Sequence, residues 1–227
     1  MFNRGARQWP IYRTDSDRSA FVALLATLRA EFGLEIHAFS LMDNHYHLVV
    51  RDPDDCLSRA IGYLGQRFTQ QFNAAHEVDG PLFRGRFGSV PVTSDRQLIT
   101  AIRYVALNPL DLASIQSLEA YRWSSHRSYL GLRATPGWLC TDTVLALTGG
   151  VEGYRRLIEA GMPRADSPPS VSLARIEHAV LSATGTIRSD LMKAARGRRN
   201  VPRLLLVLAV AEPESRASPG CGAPSNK

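Results

Sequence analysis

The stretch from residue 34 to residue 51, "LEIHAFSLMDNHYHLVVR", limits the fold more tightly than any other part of the chain. "LEIHAFSLM" (34–42) alternates apolar and polar residues with the period of two that a half-buried strand requires. "DN" at 43 and 44 is a turn signal, and "HYHLVVR" (45–51) is a second strand. Strands joined by so short a connection pair antiparallel, as a hairpin. A lone hairpin is marginal in water, so other elements must cover it.

The flanking sequence supplies that cover. Residues 15–32 carry Phe21, Leu24, Leu25, Leu28 and Phe32 at helical spacing, with Asp15 or Ser16 as cap and Gly33 as stop. Residues 54–75 repeat the pattern with Leu57, Ile61, Leu64, Phe68 and Phe72. "LFRGRFGSVPV" (82–92) is extended, and Pro91 assigns it to a sheet edge or strand end. "TSDRQLITAIRYVALNP" opens on a cap signal and runs as a helix to Asn108-Pro109. The order helix, strand, strand, helix, strand, helix predicts an α+β domain, a mostly antiparallel sheet with helices packed on it. A remnant of a further strand is expected before residue 12.

From about residue 133 the character changes. Short helices are expected at 141–148 and 151–160, "SPPS" (167–170) reads as a linker, and 172–196 gives two helical patches. The tail is rich in Pro, Ser, Gly and Ala and is expected to be disordered. The expected divisions are therefore 1–132, a main domain; 133–170, a helical and loop connector; 171–210, a small helical extension; and 211–227, a tail.

Charge sharpens this division. The 227 residues carry 27 basic and 21 acidic side chains, a net of +6. Residues 133–227 hold 13 basic against 8 acidic, so nearly all of the excess lies there. Much of it is in "IRSDLMKAARGRRNVPR" (187–203), where Arg196, Arg198 and Arg199 cluster. Such a segment is either a phosphate-binding surface or a solvated helix face. Only Lys193 and Lys227 are lysines; arginine's planar fork suits phosphate, and arginine bias also follows from a GC-rich genome. Cys56, Cys140 and Cys221 are widely spaced and form neither a disulfide framework nor a zinc motif. The first ten residues lack the apolar core of a signal peptide, and "LLLVLAVA" (204–211) is too short to span a membrane. The expectation is a cytoplasmic protein.

The candidate chemistry lies in two places. On a strand, residues i and i+2 point the same way, so His45 and His47 project together and Tyr46 faces the other side, into the core. Two such imidazoles can share a divalent metal, or form a hydrogen-bonded or surface pair. Tyr104 and Asn108, four apart on a helix, share a face. Asn108 can offer an amide oxygen to a cation and Tyr104 a nucleophilic hydroxyl; equally, Tyr104 can be core and Asn108 a helix end. His37 reads as structural, His76 and His126 as surface residues, and Trp123 as core.

"EIHAFSLMDNHYHLVV", "FRGRFGSV", "IRYVALNPL" and "YRWSSHRSYLG", in that order, resemble the single-tyrosine HUH transposases, and within them the REP-associated tyrosine transposases. The resemblance covers about residues 2 to 132. It implies a ferredoxin-like or RNA-recognition-like sheet faced by the helix that bears the tyrosine. It implies that His45, His47 and Asn108 hold Mg²⁺ or Mn²⁺, and that Tyr104 is the nucleophile. It further implies nicking and rejoining of single-stranded DNA hairpins through a 5′-phosphotyrosine. Arg84 and Arg86, one face of the 82–92 strand, either meet the DNA backbone or are solvated strand arginines, and Arg196, Arg198 and Arg199 would meet a duplex. A monomer is expected.

The chain departs from the family at three points. Asp43 stands where the family has proline, which still suits a turn and adds a carboxylate near the candidate metal. "MFNRGA" resembles only the tail of the family's first strand, which suggests a misplaced start. Residues 171–210 resemble the opening of a helical duplex-reading module like that of the replication initiator, and the expectation is a truncation or frameshift near Ala211. Two other function classes remain open on the sequence: a hairpin-binding module that does not cut, and a metal-dependent phosphodiesterase that uses water.

Overall fold

The computed structural model describes residues 10–83, 87–112 and 115–162, and the backbone of 203–210. The architecture is α+β. Its described elements are α1 (Asp15–Phe32), β1 (Glu35–Leu41), β2 (His45–Asp52), α2 (Leu57–His76), β3 (Gly88–Val92), α3 (Asp95–Leu107), a 3-10 turn (Asn108–Asp111), α4 (His126–Tyr129), α5 (Asp142–Thr148), α6 (Gly150–Glu159) and β4 (Arg203–Val210).

The hairpin forms as the alternation predicts. Leu41 pairs with Tyr46 and Ser40 with His47, and the Met42 N–H donates to the His45 carbonyl at 2.8 Å to close the turn. The register shifts between Ile36 and Ala38, a bulge at His37. The other edge of β1 is covered by backbone bonds from Ser125 to Phe39 and from Cys140 to Ile36, which blunts an edge open to foreign strands.

Helix α1 starts one residue earlier than Asp15 would set it and two earlier than Ser16 would. Thr14 is the cap, in a reciprocal box with Asp17, and Gly33 ends the helix in the left-handed conformation. The Asp17 carboxyl is held below the usual carboxylate range. Burial opposes this, but hydrogen bonds from His76 and from the Thr14 and Arg13 backbone outweigh it. Helix α2 borrows its cap from the preceding strand: Asp52 accepts the Cys56 and Leu57 N–H groups, each at 3.0 Å.

Helices cover both faces of the hairpin. On one face Tyr46, Leu48 and Val50 pack with Phe21, Leu25 and Leu28 of α1 and Ile61, Leu64 and Phe68 of α2. Phe21 is the centre of this layer, fully buried, with ring centroids 4.7 Å from Tyr46, 5.1 Å from Phe68 and 5.6 Å from Tyr12. Phe21→Ala is expected to cost about 3–5 kcal/mol, read as a lower urea midpoint. On the other face Ala38 and Val49 pack with Leu98, Ile102 and Val105 of α3, together with Val144 of α5 and Tyr154 and Ile158 of α6. The expected helices at 141–148 and 151–160 are present, but they are not a connector. Their apolar residues complete the core beneath α3.

The segment 203–210 departs from its expected place in a helical extension. It is a strand inside the sheet, whose order is β1-β2-β4-β3, with β4 antiparallel to both β2 and β3. The physical reason is its near-continuous apolar run, too short for a long helix and suited to a strand with neighbours on both sides. Strand β3 is then an edge, as Pro91 requires. Of the expected 82–92 strand only Gly88–Val92 forms among the described residues, and Arg84 and Arg86 lie outside them. Arg196, Arg198, Arg199, the helical patches at 172–196 and the 211–227 tail also lie outside them.

The sheet order can be tested directly. Arg51 and Leu204 are cross-strand partners, and paired Cα atoms in an antiparallel ladder lie within disulfide range. With Cys56, Cys140 and Cys221 changed to serine, an Arg51→Cys/Leu204→Cys protein is expected to form an intrachain disulfide, seen as a mobility shift without reductant. Failure to close would overturn the position of β4.

Candidate functional site

Strand β2 and helix α3 meet at the candidate site. The period of two turns His45 and His47 to the α3 face, while Tyr46, fully buried against Phe21, takes the opposite one. The two imidazoles lie with Nε2 atoms 3.0 Å apart and rings near perpendicular. From the helix side, the Tyr104 ring stands edge-on to His47 with centroids 5.1 Å apart. Asn108, one turn further, is buried, and its Nδ2 donates to the Tyr104 carbonyl at 3.1 Å. That bond commits the amide nitrogen and leaves the Oδ1 atom for another partner. The structure therefore brings together His45, His47, Tyr104 and Asn108.

Burial governs the protonation of the two histidines and of Tyr104. His47 is wholly buried, and loss of water holds its pKa well below the ordinary imidazole value, with His45 adding repulsion and Asn108 opposing. His45 is lowered to about 4, by desolvation first, against the attraction of Asp43. Both are neutral at physiological pH, the form a metal ligand needs. Tyr104 is pushed up to about 12 by burial and by the charge of Asp111, which the nearby Asn108 amide partly offsets. The Tyr104 hydroxyl and His47 Nδ1 are both buried and neither makes a hydrogen bond. Orphans of this kind are uncommon and costly; Tyr12, Arg18, His37 and His126 carry others outside this site.

The donors suit a divalent cation. Two ligand nitrogens at right angles around an ion, each about 2.1 Å from it, are about 3.0 Å apart, which is the separation of the two Nε2 atoms. Among the described residues no group of three or more His, Cys, Asp or Glu could hold a metal, so a third ligand from among them would be a neutral group, for which the Asn108 oxygen is the candidate. Two imidazoles and an amide oxygen suit Mn²⁺ better than Mg²⁺, which prefers oxygen alone.

Comparison with protein-family models, curated proteins and solved structures found no match. The site is therefore read from its own side chains.

Two neighbours went unnoticed in the sequence. Asn44 Oδ1 lies 2.6 Å from His45 Nδ1; the one available signal was an amide side chain next to a histidine in a turn. Arg18 donates to the Asp43 carboxylate at 2.9 Å, so that carboxylate is held by α1 while its charge still reaches His45. Two histidines differ from expectation. His126 is buried rather than superficial, with Nδ1 3.0 Å from the Tyr154 hydroxyl. His76 is largely covered and donates to Asp17 at 2.8 Å, tying the end of α2 to the start of α1. His37 is structural as expected, its Nδ1 facing the Cys140 carbonyl at 3.2 Å. Trp123 packs against the α1/α2 core.

Proposed function

We propose that this chain nicks and rejoins single-stranded DNA hairpins through a tyrosine-linked intermediate, as its resemblance to the single-tyrosine HUH transposases implies. The observation that carries this reading is the convergence of a paired-imidazole strand with a helix that presents Tyr104 and Asn108 to the same point. The topology supports the ferredoxin-like part of the reading. That fold runs βαββαβ. Here α1, β1, β2, α2 and β3 supply its last five elements in order, and β4, antiparallel between β2 and β3, stands in for the opening strand.

A cation held by His45, His47 and Asn108 would supply Lewis-acid polarisation of the scissile phosphate. The chain's own contribution is the nucleophile and its protection. The Tyr104 oxygen forms a bond to phosphorus as the bond to the departing 3′ oxygen breaks. The tyrosine proton is lost and the departing oxygen takes one up. The 5′ end stays on the protein, and a 3′ hydroxyl can reverse the step without ATP. Burial keeps Tyr104 protonated and covered until DNA arrives, which prevents unproductive chemistry.

The same covered hydroxyl favours a second reading, a module that binds hairpins without cutting. One experiment separates the two. Purified protein is incubated with hairpin-bearing single-stranded DNA and Mn²⁺ and run on a denaturing gel. A covalent adduct that requires Tyr104 supports the transposase-like reading. Binding without an adduct supports the second. Cleavage that persists in Tyr104→Phe indicates a phosphodiesterase that uses water.

A further inference from the structure

We propose that Asn44 is a positioning residue that presets the tautomer of His45, so that the two histidines enter cation binding in different states; this rests on the metal-site reading above. The argument begins with proton counting. Each neutral imidazole carries one N–H. His45 Nδ1 lies 2.6 Å from the Asn44 carbonyl oxygen, an atom that can only accept, so the His45 proton is on Nδ1. The His45 Nε2 is then a bare lone pair, aimed at His47 Nε2 3.0 Å away. Two bare lone pairs at that distance would repel, so His47 carries its proton on Nε2 and donates it to His45. On this count its Nδ1 is bare; that nitrogen is buried and makes no hydrogen bond, although the Asn108 amide acts on the ring in favour of its protonated form.

The pair is therefore asymmetric. His45 offers its ligand lone pair in advance, with Asn44 holding both the ring orientation and the proton position. His47 is latched by its own hydrogen bond to His45. It becomes a ligand only when its proton moves from Nε2 to the bare Nδ1, or leaves. A cation then replaces that single shared proton, off the line between the two nitrogens, and the rings turn toward it. Partners on the far nitrogen of a metal-bound histidine typically change metal affinity 10–100-fold.

The test uses ¹⁵N-histidine-labelled full-length protein without metal, followed by titration with Mn²⁺ alone, monitored by loss of the free-ion EPR signal. In the wild type, His45 is expected to show a protonated Nδ1 and a bare Nε2. Asn44→Ala is expected to lose that tautomer preference and to weaken Mn²⁺ binding at least about tenfold. Asn44→Asp, which keeps an acceptor oxygen, is expected to retain the tautomer and recover binding. Circular dichroism checks that each variant is folded. A proton on Nε2 of wild-type His45, or unchanged Mn²⁺ affinity in a folded Asn44→Ala, would overturn the positioning role. If no protein takes up Mn²⁺, the metal-site reading itself fails, whatever the tautomer spectrum shows.

Discussion

Tyr104→Phe is expected to abolish the covalent protein–DNA adduct and to leave the fold at least as stable as before. The two halves of this expectation have separate causes. Substitution removes the phenolic oxygen that α3 carries beside His47. Knockouts of such groups lower turnover by factors on the order of 10³ or more. The stability half follows from the orphaned hydroxyl. It is buried and makes no hydrogen bond, and the nearby Asn108 amide offsets only part of its desolvation, so the fold bears a cost on the order of 1 kcal/mol. The phenyl ring keeps its edge-on contact with His47. The melting temperature should therefore hold or rise. A fall of several degrees would mean that the hydroxyl has a structural partner, and Tyr104 would be better read as core. An adduct that survives the substitution would move the nucleophile elsewhere.

Acid is expected to unfold the protein well above the pH at which its carboxylates protonate. His37, His45, His47 and His126 are all held below the ordinary imidazole value, in each case first by burial. In the unfolded chain each returns to about 6.5. Between 6.5 and the lower folded values the unfolded state binds more protons. Stability is therefore complete above about pH 6.5 and falls as the pH drops below it. For His45, with a folded pKa of about 4, the loss at pH 5 is about 2 kcal/mol. The other three add in the same direction. Asp17 does not contribute in this window, because its lowered pKa loses stability only at still lower pH. Urea titrations at pH 7 and pH 5 check the expectation. A midpoint that does not fall at pH 5 would mean that these imidazoles are hydrated. Mn²⁺ should stabilise about equally at pH 7 and pH 5, since folded His45 and His47 are neutral at both, and its effect should fade as the pH falls to about 4.

Much of the site was legible before any coordinates. The hairpin, the shared face of His45 and His47, the opposite direction of Tyr46 and the one-turn spacing of Tyr104 and Asn108 all follow from residue periods. The helices at 15–32 and 93–108 were legible for the same reason, the first with its cap displaced to Thr14 and the second capped by Ser94 within its cap signal. The place of 203–210 was not legible. An eight-residue apolar run suits a buried helix segment or a central strand equally, and only long-range pairing with β2 and β3 decides between them. Nor was the burial of His126, because the tyrosine it meets lies on α6, beyond the reach of any local pattern. The bond from His45 to Asn44 was missed although the two are adjacent, since adjacency does not say which way a turn side chain points.

The amino-acid order alone determined which side chains leave the backbone together, because strand and helix periods are set by local stereochemistry. The tertiary structure decided that the two faces meet, with a tyrosine ring 5.1 Å from a histidine ring, and that burial strips these groups of charge. Distance and desolvation arise from packing between segments remote in sequence, and no local pattern encodes either.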